Sequence, residues 1–161
     1  MRHPIAQQAY DAFRADVELQ PAISLRAGNA IDQYEQPPPF DPALDAPTDA
    51  YLAAYAFNGL VFLDAASWRH YLPLLIDYTL RQLGAASMAP HGLLASLRPP
   101  DHEPPRLATL SPEQEAAIVA FLQALAFGDD TLAYQDDALL ILEEWWLPNA
   151  RYRTRPGQAG E

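Results

Sequence analysis

Ile5, Ala9, Phe13 and Val17 fall in one i,i+4 row, the spacing of an apolar stripe on a helix that starts at Pro4 and runs to about Leu19. Pro4 suits the first helical turn, where a missing N–H costs little. The stretch AISLRAGNAIDQYE after Pro21 is short and mixed, and predicts an extended piece followed by a helical turn. Five prolines within residues 36–47 forbid regular helix and predict an extended surface loop, a shape that proline-motif ligands of partner domains also use. From Thr48 the sequence DAYLAAYAF predicts a helix that stops near Asn58-Gly59.

Asp64 is the expected N-cap of the next helix. Its stripe of Trp68, Leu72, Leu75 and Thr79, thickened by Leu74, Ile76 and Leu80, marks it as the central core helix, ending at Gly84. Pro73 removes the hydrogen bond that would reach the Arg69 carbonyl, so it either kinks this helix or divides it. A shorter helix fits HGLLASL, before the loop RPPDHEPPR. The clearest local signal is SPEQEAAIVAFLQAL: Ser111 caps, Pro112 takes the first helical position and Gln114 completes a capping box. Ile118, Phe121, Leu122 and Leu125 form its buried face and Gly128 closes it. A last helix runs from about Thr131 to Trp146 and stops at Pro148.

Strand-like alternation is absent, so the expected fold is all-α, a compact orthogonal bundle of about five to seven helices with proline-rich loops. Residues 1–148 are expected to form a single helical domain and 149–161, with Arg151, Arg153 and Arg155, a flexible C-terminal tail.

At 161 residues and 50% hydrophobic content, the chain has enough apolar side chain for one continuous core. All 10 basic residues are arginine, and 21 acids bring the formal net charge to −11. That charge repels phosphate, so no nucleic acid and no anionic membrane is expected as partner, whereas a basic protein is favoured. With no cysteine there is no disulfide, thiolate metal ligand or cysteine nucleophile. MRHPIAQQAYDAF lacks the apolar core of a signal peptide and no run approaches about 20 apolar residues, so a soluble cytoplasmic protein is expected.

The segment WRHYLPLLIDY holds Arg69, His70 and Asp77, the elements of a catalytic group or of a polar edge. Seven helical residues separate His70 from Asp77 by roughly 10 Å, so they share a face without touching. Asp77 is better placed to pair with Arg81, and the three are read as the polar rim of a bent core helix. Neither H-E-x-x-H nor Glu-x-x-His occurs, His91 and His102 lie in or beside proline-bounded loops, and Asp101, His102 and Glu103 point in different directions. No metal and no cofactor is therefore expected. G-x-S-x-G is missing, and Ser67, Ser87 and Ser96 have no recognisable base.

Residues 129–144 contain six acids and no base. Asp130 and Asp137, Asp136 and Glu143, and Asp137 and Glu144 are each seven apart, which returns to within about 20° on a helix and predicts an acidic stripe. Leu139, Leu142 and Trp146 form the expected anchoring face, widened by Ile141 and Trp145. The candidate partner-binding residues are Asp130, Asp136, Asp137, Glu143, Glu144 and Trp145.

AYDAF followed by VELQP, the central FLDAASWRHYLPLLIDY, the later LSPEQEAAIVAFLQAL and the WW pair together span residues 9–146. In that order they resemble an uncharacterised bacterial family of small helical proteins, a domain of unknown function. The resemblance implies a mostly helical single domain with Tyr71-Leu72-Pro73 as an architectural hallmark, and it carries no activity or site residues. The expected function is a non-enzymatic acidic protein-binding module, of the physical type of an immunity protein or antitoxin that neutralises a basic protein. The alternatives are a small enzyme using His70 or His91 with carboxylates, and a homodimer that buries Trp145 and Trp146.

Overall fold

Four helices in this chain begin at a Ser, Thr or Asp whose side chain accepts from one of the first unpaired backbone N–H groups. Ser24 accepts from Ala27, Thr48 from Tyr51, Asp64 from Ser67 and Ser111 from Gln114, and the Gln114 side chain returns the bond to the Ser111 N–H. The computed structural model describes residues 1–154. Among these it contains α1 (Pro4–Ala12), α2 (Arg14–Glu18), α3 (Leu25–Asp32), α4 (Asp49–Gly59), α5 (Ala65–Arg81), α6 (Ala89–Ser96), α7 (Pro112–Phe127) and α8 (Gln135–Ile141). Short 3-10 turns occupy Leu60–Phe62 and Leu107–Thr109, a π-turn follows α8 at Leu142–Trp146, and no strand occurs among the described residues.

The all-α expectation holds, with eight helices instead of five to seven. One addition comes from Phe13, whose φ of −106° and ψ of 17° break the first expected helix into α1 and α2 while its ring stays fully buried. The other is α3, where only a turn was expected. Its Leu25, Ala27, Gly28 and Ala30 are all buried, so packing outweighs a mixed local sequence.

Glycine sets the closest helix contacts. A Cβ on Gly28 of α3 would stand 2.3 Å from the Gly59 carbonyl oxygen of α4, and one on Gly59 would stand 2.4 Å from that of Leu25. On the far side of α4, a Cβ on Gly92 of α6 would meet the Phe57 Cα at 2.9 Å. Helix α4 is thus clamped between two neighbours at backbone contact. Helix α5 is the centre of the core: Trp68, Leu72, Leu75 and Ile76 are fully buried against α1, α2 and α6. It runs unbroken through Pro73, which is itself buried, so the proline does not divide it.

Two polar clusters hold the loops. In the proline-rich loop, Asp45 accepts from Arg26 Nε and Nη2 at 3.0 Å each, from the Tyr51 hydroxyl at 2.8 Å and from the Asp41 N–H at 2.8 Å. In the loop after α6, the Asp101 carboxylate accepts from the N–H groups of His102, Arg106, Leu107 and Ala108. Arg106 is buried beside it, donating to the Leu60 carbonyl at 3.2 Å with its guanidinium 5.3 Å from the Trp68 ring centre. Burial without a directly bonded carboxylate lowers the Arg106 pKa to about 10, partly offset by the charge of Asp101.

Candidate partner-binding site

After Gly128 the chain turns on Thr131, whose hydroxyl donates to the Leu125 carbonyl at 2.7 Å, and α8 begins at Gln135. Its last turn is π-helical, with the Leu147 N–H donating to the Leu142 carbonyl at 3.0 Å. A π-turn carries one residue more than an α-turn, so the residues beyond it shift in phase by roughly one position, about 100°. In an uninterrupted α-helix Trp146 would line up with Leu139. Instead Trp146 joins Ala138, Ile141 and Leu142 in the core and donates from Nε1 to the Leu97 carbonyl at 3.0 Å. Leu139, expected as an anchor, is left 38% exposed, and Trp145 is half-buried at the side.

The same geometry rearranges the expected acidic stripe. Asp130 precedes α8 on a bend, so the seven-residue step to Asp137 is not taken on a helix. Asp130, Asp136, Asp137 and Glu143 are exposed, and none of them makes an ion pair among the described residues. Glu144 is not on that surface. It is 6% exposed and accepts from Arg98 Nε and Nη2 at 2.9 Å each. That paired hydrogen bond raises the Arg98 pKa; desolvation opposes the rise, and the charges of Glu144 and Asp137 add to it.

The chain then folds back, with Arg151 N–H donating to the Glu143 carbonyl at 2.9 Å and Tyr152 N–H to that of Glu144 at 3.0 Å. Arg153 pairs with Glu115 at 2.6 Å and lies 5.0 Å from the Trp145 ring centre. Arg151, Tyr152 and Arg153, within the segment expected to be a flexible tail, therefore carry contacts to the helical body. Residues 155–161 of that tail, Arg155 among them, lie outside the described residues.

Two concavities flank the π-turn. One, of about 160 Å³, is lined by His91, Leu94, Arg98, Asp137 and Leu140, with the His91 ring 5.3 Å from that of Tyr134. The other, of about 380 Å³, is walled by Pro99, Pro100, Asp101, Trp145 and Tyr152. Interleaved with the exposed carboxylates are exposed apolar side chains, Phe127, Leu132, Leu139 and Leu140.

Arg69 and His70 face inward more than a rim requires. Arg69 binds Asp16 at 3.0 Å and the Thr109 hydroxyl at 2.6 Å, while His70 Nδ1 lies 3.0 Å from the Asp16 carbonyl. Both fasten α2 to α5. Burial lowers the His70 pKa, and the carbonyls of Asp16 and Leu19 and the Asp16 charge oppose this in part. Asp77 bonds Arg81 at 3.1 Å, as its spacing predicts, and Arg81 also reaches Asp49 with two bonds of 2.9 Å. Sequence reasoning missed Arg26, Asp45, Asp101 and Arg98 as organising residues. No local spacing signals them: Arg26 and Asp45 are 19 residues apart, and Arg98 and Glu144 are 46 apart. Among the described residues no group of three His, Asp or Glu is arranged to hold a metal ion, and no helix is long and apolar enough to cross a membrane.

A model of a family of unknown function, DUF6714, matches residues 1–150. No curated protein and no solved structure matches the chain.

Proposed function

The chain belongs to DUF6714, a family to which no function attaches, and from the geometry of its last helix we propose that it is a non-enzymatic protein-binding module for a basic partner. The observation that carries this reading is the set of exposed carboxylates at Asp130, Asp136, Asp137 and Glu143, none in an ion pair among the described residues, interleaved with exposed Leu132, Leu139 and Leu140. Among the described residues six ion pairs bind carboxylates elsewhere, yet in this run only the inward-turned Glu144 is matched. Like charges left unpaired on one surface repel each other, and a basic segment relieves that repulsion while leucines supply apolar area. Trp145 borders this face. The physical type is that of an immunity protein or antitoxin, which neutralises a basic protein by complementary charge.

The test replaces Asp136 and Asp137 with Asn and Glu143 with Gln. Partners are captured from the native host's lysate with each protein, and association is then timed at several salt concentrations. The variant should fold, associate about tenfold or more slowly at low salt, and lose most of the salt dependence. If both proteins retain the same partners at the same rates, the carboxylates are only a solvated face and the proposal fails.

A further inference from the structure

Helix α4 is uncharged on every side, yet only half of it is buried. From Ala50 to Leu63 the chain holds no charged residue, and apart from Asn58 the side chains are apolar or aromatic, the pattern of a helix covered all round. Tyr51, Leu52, Ala56 and Gly59 face the core. Ala50, Ala53, Ala54 and Phe57 are exposed, and at 100° per residue these four fall within an arc of about 100°, a single outward stripe. Val61, in the 3-10 turn that follows, is exposed as well; Phe57 is 46% and Val61 51% accessible. The helix cannot roll to bury this stripe, because α3 at Gly28 and α6 at Gly92 hold it at backbone contact. A face fixed in this way loses little freedom on docking.

Side-chain size is sorted along the stripe: Ala50, Ala53 and Ala54 form its N-terminal half, Phe57 and Val61 its C-terminal half. Two copies of α4 laid antiparallel about a two-fold axis between Ala54 and Phe57 place the large half of each on the small half of the other. Phe57 then enters the gap between Ala53 and Ala54 of the second copy, and Val61 covers its Ala50. A parallel pairing would set phenyl against phenyl and leave the alanines apart. Charge selects the same contact. Copies of a chain of net charge −11 repel each other least through an uncharged face, and Asp49, at the N-terminal edge of the stripe, is already neutralised by Arg81 at 2.9 Å. Antiparallel helices also set opposite dipole ends side by side. A basic partner finds no carboxylate on this stripe to hold it.

We propose that the exposed stripe of α4 is the two-fold face of a homodimer, in which α4 packs antiparallel on α4 of a second copy. The stripe is about 16 Å long and one helix wide, less than the roughly 800 Å² per partner of a standard interface, so the dimer is weak and reversible. Its salt dependence is opposite in sign to that of a basic partner on the acidic face. Added salt screens the repulsion between two acidic copies and strengthens their contact, whereas it weakens attraction between unlike charges.

The test uses the full chain in sedimentation velocity from micromolar to millimolar concentration. The average mass should rise with concentration, and the association constant should be about threefold or more higher in high salt than in low salt. Phe57→Glu should stay monomeric with unchanged circular dichroism. The register is read by cross-linking, which is clean because the chain has no cysteine of its own. Ala50→Cys and Val61→Cys proteins, mixed and oxidised with glutathione disulfide, should form a disulfide-linked heterodimer. Each alone should not, because in the antiparallel pair like positions lie about 16 Å apart along the axis, beyond the roughly 7 Å limit between Cα atoms of a disulfide. A mass constant up to millimolar concentration, an association weakened by salt, or a Phe57→Glu variant that associates as the wild type does would overturn the proposal. So would a mixture that cross-links no faster than either cysteine variant alone.

Discussion

Replacing Asp45 with asparagine keeps the shape of the side chain and removes its charge. The Asp45 side chain is fully buried, and four donors converge on it from Arg26, Tyr51 and the Asp41 N–H. Asparagine offers one oxygen and turns an NH₂ toward donors that have nothing to give it. The Arg26 guanidinium, only 20% exposed, is then left without its counter-charge. Breaking a buried pair by removing one partner costs about 3–5 kcal/mol, and the residual exposure of Arg26 places this case near the lower end. Burial alone would raise the Asp45 pKa, but the bonds from Arg26, Asp41 and Tyr51 and the Arg26 charge outweigh it and hold the carboxyl below the ordinary range. A depressed carboxyl adds stability that is complete above the unfolded value of about 3.9 and is lost as pH falls through the folded value. Wild type should therefore show an extra loss below about pH 4 that the variant lacks. Urea unfolding at neutral pH and across this acid range, with the slope m checked for constancy, measures both quantities. A loss below about 1 kcal/mol at neutral pH, or identical acid limbs, would refute the reasoning. Amide exchange at Asp41 should also rise, because its acceptor anchors the proline loop.

Gly28→Ala should cost about 1–3 kcal/mol or more, because the new Cβ meets the Gly59 carbonyl at 2.3 Å, backbone with no flexible side chain to yield; an unchanged melting temperature would contradict the glycine crossing of α3 and α4. His70 has a folded pKa below that of the unfolded chain, so its contribution to stability is complete above about pH 6.5 and falls as pH drops. His70→Gln should remove that part of the slope between about pH 7 and 5, and equal slopes in the two proteins would refute the assignment.

Helix starts were legible in the sequence because a cap and the N–H it satisfies lie within three residues: Thr48, Asp64 and Ser111 all cap where their neighbours predict. The buried faces of α5 and α7 were legible for a similar reason, since a 3.6-residue period writes an apolar face directly into the chain. The local sequence did not reveal α3, whose helix is completed by burial against α4 at a glycine contact.

At the candidate site, the acid-rich composition of the last helix was visible in the sequence, but not which acids face outward. That was decided by Trp146 docking on the Leu97 carbonyl, 49 residues away, together with the π-turn that accommodates it, and by Arg98 turning Glu144 inward from 46 residues away. The sequence by itself determined where the helices capped by Thr48, Asp64 and Ser111 begin, which of their faces are apolar and how negative the chain is, because each depends on neighbours or on a sum over residues. Only the tertiary structure decided which carboxylates remain unpaired and where the aromatic cleft opens, because both depend on partners brought together by packing across long stretches of chain.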